Sequence, residues 1–405
     1  MRHNLRSRAN PGRISVALAL SYVFDWVVII LAAGIGAAFA IIEPNKRPFS
    51  LADPNISFPY VHKEKVSTAL LGVSALVAPA AIIFLVSVLL VPGPTVSKTT
   101  PKSLIWQRKL WEWHTGWLGL ALSQAASFLI TSGMKNLFGK PRPDLLSRCN
   151  PDLSNIALHA VGGLVNVPEG VALVSHTICQ NTDKSVMDDG FRSFPSGHAS
   201  FAAGGLIYLS LYLASKLATT IPFLPPRAYG QDESHFSAFP SRAAREAAET
   251  ARTTIQNDKS YSDHLTEPSG HNDAVIASRN QAAAPPVYLL AIAVIPWFAS
   301  IYIASTRWSD FRHHGFDILF GYIIGTVTSI FAFRYYHLPI AQGAGWSWGP
   351  RSRERSFWAG IGVGNYAGTL PSHSEAADAD LEPGPPLRRA TNDVSYAGQP
   401  GEIPL

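Results

Sequence analysis

The chain alternates between long apolar stretches and polar connecting segments. A helix that crosses the hydrocarbon core of a bilayer needs about 20 predominantly apolar residues. Six stretches reach that length, and they cover residues 14–42, 66–91, 113–137, 198–217, 286–305 and 316–336. The first is too long for the apolar core of a cleavable signal peptide, so we interpret it as a true span. The pattern therefore predicts an all-α integral membrane protein with six transmembrane helices.

Two segments have a different composition, with many Ser, Ala, Asp, Glu, Arg, Pro and Gly residues and little periodic apolar content. They are an insertion at 219–284 and a C-terminal tail at 343–405, and a short N-terminal tail at 1–13 precedes the first span. Such sequences bury too little apolar surface to fold alone, so disorder is predicted for the insertion and the C-terminal tail. The expected organisation is one six-span domain, 14–342, that carries the insertion and is flanked by two cytoplasmic tails.

The basic residues indicate the orientation of the spans, because short cytoplasmic loops carry an excess of Lys and Arg. Such residues concentrate before span one, between spans two and three and after span six, including Arg6, Lys102 and Arg353. Both termini are therefore expected in the cytoplasm. The formal net charge is +5, but it is spread over these connections and forms no stripe, so nucleic acid is not an expected partner.

Three polar clusters lie at the ends of predicted spans on the opposite, non-cytoplasmic side. The first contains Lys135 and Arg142, the second is the segment 195–198, and the third contains Arg307. Arg offers a planar fork of donors and Lys a compact charge, which suits a phosphate group. For Lys135 the alternative is a side chain that snorkels to the bilayer surface. That alternative is weaker for Arg142, since prolines on both sides restrict its backbone.

The second cluster, Pro-Ser-Gly-His, opens the fourth span. Ser196 is a good N-cap, Gly197 allows an anion to approach the backbone, and the helix start presents free N–H groups. An ordinary helix cap would have the same residues, but it leaves His198 without a role.

The third cluster contains a candidate nucleophile. His313 and Asp317 are four residues apart, so in a helix that begins near Arg312 the carboxylate would hold one imidazole nitrogen and leave the other free. His314, three residues from Asp317, is a rival imidazole. A capping Asp beside an exposed His is the simpler alternative. Zinc could bind two His and a carboxylate, but three nearby cations oppose a dication, so no metal or other cofactor is expected.

Both cysteines of the chain, Cys149 and Cys179, lie in the predicted lumenal loop between spans three and four. An oxidising compartment would allow a disulfide, although two free thiols fit equally well. The sequon Asn55-Ile56-Ser57 in another lumenal loop agrees with this orientation.

Taken together, the three motifs resemble the signature of the type 2 phosphatidic acid phosphatase superfamily, which also includes vanadium haloperoxidases. The motifs read Lys-x6-Arg-Pro, Pro-Ser-Gly-His, and Arg-x5-His-x3-Asp in this order. The six spans resemble the lipid phosphate phosphatase branch. The segment 140–149 and the His313-His314 doublet are similar to fungal diacylglycerol pyrophosphate and lipid phosphate phosphatases. One departure is Thr306, which stands where the family has Ser and keeps the hydroxyl.

The resemblance implies a Mg2+-independent phosphatase in which His313 attacks phosphorus to form a phosphohistidine. Asp317 would orient His313, and His198 would protonate the leaving group. The residues expected to hold the phosphoryl oxygens are Lys135, Arg142, Ser196, Gly197 and Arg307. A lipid head-group transferase of the same superfamily and a silent lipid-phosphate-binding protein are the alternatives.

The implied substrates are phosphatidic acid, diacylglycerol pyrophosphate or related lipid phosphates within the membrane. The implied location is a vacuolar, Golgi, endoplasmic reticulum or plasma membrane. The active site would lie on the lumenal or extracellular face.

Overall fold

The computed structural model describes residues 16–93, 96, 100–163, 171–219, 284–340, 346–351 and 356–357. Contacts divide the chain into two compact units, 1–19 with 349–405, and 20–348. Few residues of the first unit are described, and the helices considered below belong to the second unit, apart from the first four residues of the N-terminal helix. The segments predicted to be tails or disordered (1–13, 219–284 and 343–405) lie almost entirely outside the described residues.

Helices dominate the described residues, and six of them are long. In chain order the helices are α1 Val16–Ile41, α2 Thr68–Leu90, α3 Lys102–Phe138, α4 Leu145–Cys149, α5 Ile156–His159, α6 Lys184–Gly190, α7 Gly197–Lys216, α8 Val287–Ser309 and α9 Gly315–Tyr336. The all-α expectation needs one correction. Two short antiparallel strands, β1 Ala160–Gly163 and β2 Ala172–Val174, pair in the α3–α7 connection.

Among the described residues, four helices are long and apolar enough to cross a membrane, namely α1, α2, α8 and α9. The long helices α3 and α7 are less apolar because they fill the interior of the bundle. Their polar side chains bond to neighbouring helices, as when Ser123 on α3 donates to the Gly204 carbonyl on α7 at 2.8 Å. Such bonds satisfy polar groups away from water.

Helix α7 packs against α2, α3, α8 and α9. Tyr208 and Tyr212 on α7 form a buried cluster with Ile83, Leu120 and Phe333 from the surrounding helices. Close approach requires glycine where α9 meets the start of α7. A Cβ at Gly321 would lie only 2.4 Å from the Ser196 carbonyl oxygen.

Helix α2 contains a widened turn at Val73–Val77, followed by Pro79. Proline has no N–H to donate to the carbonyl four residues earlier, which here is that of Ala75. Gln124 Nε2 on α3 donates to this oxygen at 2.6 Å instead. The freed carbonyl therefore becomes a contact between α2 and α3, as expected for polar backbone inside a membrane bundle.

The connection from α3 to α7 folds into a small cap over one end of the bundle. It leaves α3 at Gly139, which has φ +54°, and it contains the disulfide between Cys149 and Cys179. Phe49 from the α1–α2 loop joins the apolar centre of this cap, together with Val174 and Phe191. The cap holds Arg142 and residues 189–196 beside the ends of α3 and α7.

Candidate active site

A cavity of about 510 Å³ lies where the C-terminal ends of α3 and α8 meet the N-terminal end of α7. Six of the predicted site residues line it, namely Lys135, Arg142, Gly197, His198, Arg307 and His313. Ser196 and Asp317 are buried and outside this lining. The fold thus brings the three sequence clusters to one cavity, whose volume is typical of a ligand site.

The cavity also contains charged residues that the sequence motifs did not indicate. Glu64, Asp189 and Arg192 belong to its lining. Arg307 Nη1 lies 2.7 Å from Glu64 Oε2, and Arg142 Nη2 lies 2.7 Å from Asp189 Oδ1. The lining therefore holds four fixed cations and two carboxylates, an excess of two positive charges. Both acids lie outside the motifs, so no spacing in a single sequence could have indicated them.

Arg312 connects the two carboxylates. Its Nη2 lies 2.6 Å from Glu64 Oε1, and its Nη1 lies 3.3 Å from Asp189 Oδ2. The guanidinium also sits over the Tyr60 ring at 5.0 Å. Burial alone would raise the pKa of Asp189, but Arg142 and Arg148 outweigh it and hold that pKa below its usual value. Since Arg312 directly precedes His313, this ionic network fixes the backbone that carries the candidate nucleophile.

His313 is buried, with 2% of its surface exposed, and its Nδ1 lies 2.6 Å from the Ser193 carbonyl oxygen. A carbonyl can only accept, so Nδ1 carries the proton and Nε2 keeps its lone pair. Burial, followed by the charges of Arg142 and Lys135, lowers the pKa of His313 well below its usual value. A neutral ring with an unprotonated Nε2 is the state that nucleophilic attack requires.

The expected contact between Asp317 and His313 is not formed. Helix α9 begins at Gly315 with His314 as its N-cap, so His313 precedes the helix and the spacing of four does not place it on the same face. Asp317 Oδ2 instead lies 3.1 Å from His314 Nδ1 and accepts from Ser193 Oγ at 2.5 Å. Asp317 therefore reaches His313 only through Ser193.

The rival imidazole, His314, lies outside the lining of the candidate cavity. Its Nε2 lies 3.2 Å from the Asn55 carbonyl oxygen. Lys140 Nζ completes the surroundings of Asp317 at 2.7 Å from Oδ1. His314 thus serves as the N-cap residue of helix α9.

The start of α7 forms the floor of the cavity. Ser196 caps the helix, with its side chain accepting from the Ala199 N–H at 3.4 Å. A Cβ added to Gly197 would lie 3.1 Å from Lys135 Nζ, so the ammonium group stands directly over the helix start. His198 Nε2 lies 3.1 Å from the Val66 carbonyl oxygen and 4.0 Å from Glu64 Oε2. A cation beside free backbone N–H groups is suited to an anion.

Thr306 supports the guanidinium of Arg307 with its hydroxyl. Thr306 Oγ1 accepts from Arg307 Nε at 3.3 Å and Nη2 at 3.2 Å, and donates to the Ile303 carbonyl at 2.7 Å. The family Ser would make the same bonds. Among the described residues, no three His, Cys, Asp or Glu side chains are grouped to hold a metal ion.

Comparisons with known proteins agree with this arrangement. Residues 116–340, more than half of the chain, match the PAP2 superfamily. Diacylglycerol pyrophosphate phosphatase 1 of Saccharomyces cerevisiae is 24% identical over 330 residues, 82% of this chain and 83% of that protein. Lipid phosphate phosphatase 2 of Arabidopsis thaliana is 24% identical over 345 residues, 85% of each chain.

A shorter match is more similar. Probable diacylglycerol pyrophosphate phosphatase 1 of Schizosaccharomyces pombe is 34% identical over 205 residues, 50% of this chain and 58% of that protein. No solved structure matches the chain. The motif-bearing cavity and the match over residues 116–340 lead to one conclusion: this chain belongs to the PAP2 superfamily.

Proposed function

We propose that this chain is an integral membrane phosphatase that hydrolyses phosphatidic acid, diacylglycerol pyrophosphate or related lipid phosphates without a metal ion. The observation that carries the proposal is a buried His313, whose Nδ1 lies 2.6 Å from the Ser193 carbonyl oxygen, in a cavity lined by four fixed cations. The relatives named above, which are lipid phosphate and diacylglycerol pyrophosphate phosphatases, support the substrate class.

The charge of the cavity suits a phosphate monoester. The lining has an excess of two positive charges, which would balance the two negative charges of a phosphate dianion. Lys135 and the Gly197 N–H would bind oxygens at the start of α7, with Ser196 capping that helix, while Arg142 and Arg307 would bind from the sides. These donors stabilise the charge that spreads over the phosphoryl oxygens during transfer.

The proposed reaction has two steps. His198 enters the cycle as an imidazolium, with a proton taken from solvent. His313 Nε2 donates its lone pair to phosphorus and forms an N–P bond, the bond from phosphorus to the leaving oxygen breaks, and the His198 imidazolium gives its proton to that oxygen. His198 then takes a proton from water, whose oxygen attacks phosphorus and breaks the N–P bond. Inorganic phosphate leaves, and both imidazoles regain their starting states. Asp317 would support the first step by positioning Ser193, whose carbonyl holds His313.

The proposed membrane arrangement contains six spans. Helices α3 and α7 have 37 and 20 residues, so both are long enough to cross although they are less apolar than the others. The basic flanks would place the cavity on the lumenal or extracellular face of an endomembrane or the plasma membrane. Apolar lining residues such as Leu71, Phe128 and Phe201 would face the lipid tail.

The test is phosphate release by the purified protein in detergent micelles, from a panel of lipid phosphates, with and without EDTA. Release that EDTA does not change, with no lipid acceptor present, is expected. Turnover that needs an acceptor would instead identify a head-group transferase. Lipid phosphate binding without any turnover would identify a silent binding protein.

A further inference from the structure

Almost all donors of Arg307 are engaged by the protein itself. Its Nε contacts Thr306 Oγ1 at 3.3 Å, and its Nη2 contacts the Val66 carbonyl and Asp310 Oδ2, both at 3.0 Å. Its Nη1 contacts Glu64 Oε2 at 2.7 Å. The side chain is 1% exposed, so it cannot turn to offer another edge. Nη1 carries two N–H groups, and one of them is donated to Glu64 Oε2. A phosphate oxygen that accepts from the other would lie beside the Glu64 carboxylate on the same nitrogen, where the two anions repel each other.

Arg142, the other arginine with a carboxylate partner in the cavity, differs in this respect. Asp189 Oδ1 accepts from its Nη2, whereas its buried Nε has no hydrogen-bond partner among the described residues. Arg142 can thus bind phosphate while Asp189 stays in place. The competition between a protein carboxylate and a phosphate is specific to Arg307.

Glu64 can release Arg307 without leaving its place. Its two oxygens serve different arginines, with Oε1 2.6 Å from Arg312 Nη2 and Oε2 2.7 Å from Arg307 Nη1. The side chain is 22% exposed and belongs to the loop before α2. Rotation of the carboxylate about the Arg312 contact would free Nη1 and keep the loop attached.

We propose that Glu64 is a built-in competitor of phosphate for Arg307. It holds the guanidinium in position between turnovers, yields Nη1 when the substrate phosphate binds, and takes it back as inorganic phosphate leaves. A competing anion weakens substrate and product binding alike, so it speeds product release at the cost of affinity. This role rests on the proposed phosphatase function of the same cavity.

The test compares the wild-type protein with Glu64→Gln, which keeps the shape of the side chain and removes its charge. The inhibition constant of inorganic phosphate against turnover is measured, together with KM and kcat, and phosphate binding is measured separately by calorimetry. In Glu64→Gln we expect phosphate to bind about tenfold more tightly, with KM lowered and kcat also lowered because product leaves slowly. Unchanged or weaker phosphate binding would overturn the proposal.

Two further variants make the result specific. Asp189→Asn removes a carboxylate from the same cavity without freeing a donor of Arg307, so its gain in phosphate affinity should be clearly smaller. An equal gain in phosphate affinity would mean that Glu64 weakens phosphate binding only through its charge and not through its contact with Arg307, and it would overturn the proposal. Glu43→Gln removes an exposed acid that pairs with Lys46 and Lys184 outside the cavity, and it should leave phosphate affinity unchanged.

If Glu64→Gln does not fold, Glu64→Asp serves in its place. The shorter carboxylate reaches Nη1 less well and should tighten phosphate binding in the same direction by a smaller factor. Equal or weaker binding in a folded Glu64→Asp would then overturn the proposal. A wild-type protein that releases no phosphate from any lipid phosphate would refute the proposed function itself, whereas an active wild type with unchanged Glu64 variants would refute only this role.

Discussion

Replacement of Gly321 by alanine tests the coupling between helix packing and catalysis. Gly321 lies on α9, outside the cavity lining, and faces the backbone of Ser196, the N-cap of α7. A methyl group at this position cannot touch substrate. Any loss of activity must therefore come from displacement of α9 relative to the helix start that carries Gly197 and His198.

The expected displacement follows from one distance. The added Cβ would lie 2.4 Å from the Ser196 carbonyl oxygen, whereas an ordinary C···O contact is about 3.3 Å. The neighbouring atom is backbone, so α7 or α9 must move by about 1 Å. A misplacement of about 1 Å at a catalytic site can reduce activity about 100-fold. Overpacking of this kind also costs about 1–3 kcal/mol of stability.

The assay is kcat/KM for release of phosphate from phosphatidic acid in micelles, with thermal unfolding measured on the same samples. Gly34→Ala is the matched control, because no atom lies within 4 Å of a Cβ built there on helix α1. We expect the control to keep wild-type activity. A Gly321→Ala protein with kcat/KM within about twofold of the wild type would refute the coupling.

Three other predictions concern the arginines and the nucleophile. Thr306→Ser should keep kcat/KM within about twofold of the wild type, because the hydroxyl is retained. Thr306→Val removes the acceptor of two Arg307 donors and should lower kcat/KM about tenfold. Equal activity of the two variants would contradict the role given to the hydroxyl. Because its pKa is lowered, His313 stays neutral below the pH at which a free imidazole takes up a proton, so the acidic limb of kcat/KM should lie below about pH 6.5. Arg142→Gln removes a positive charge that disfavours the imidazolium form of His313, so the pKa of His313 should rise. The acidic limb of kcat/KM should therefore move to higher pH. An acidic limb that stays in place would argue against this electrostatic effect.

The sequence predicted the long helices well because apolar length is a local property. Each of the six predicted stretches coincides with all or part of a long helix. Hydropathy alone identifies only four of these helices as spans among the described residues. Helices α3 and α7 are less apolar because they carry polar side chains that bond to neighbouring helices inside the bundle. The strands β1 and β2 are short and belong to a cap held by contacts distant in sequence, so no local pattern indicated them.

The motifs predicted which residues lie at the candidate site better than they predicted the contacts between those residues. Motif spacing gave six residues that line one cavity. The predicted pairing of Asp317 with His313 was wrong, because it assumed a helix beginning near Arg312 and α9 begins three residues later. Glu64 and Asp189 were missed because their partners are more than 40 residues away in the chain. Such pairs depend on the tertiary fold and carry no local signal.

The central claim is that His313 forms a covalent bond to phosphorus, and trapping of the phosphoenzyme tests it most directly. The protein is mixed with phosphate-labelled phosphatidic acid, quenched rapidly, and examined for acid-labile, base-stable label on the chain. The account predicts label in the wild type and in His314→Ala, and neither label nor phosphate release in His313→Ala. Full activity of His313→Ala, or label lost in His314→Ala and kept in His313→Ala, would contradict it.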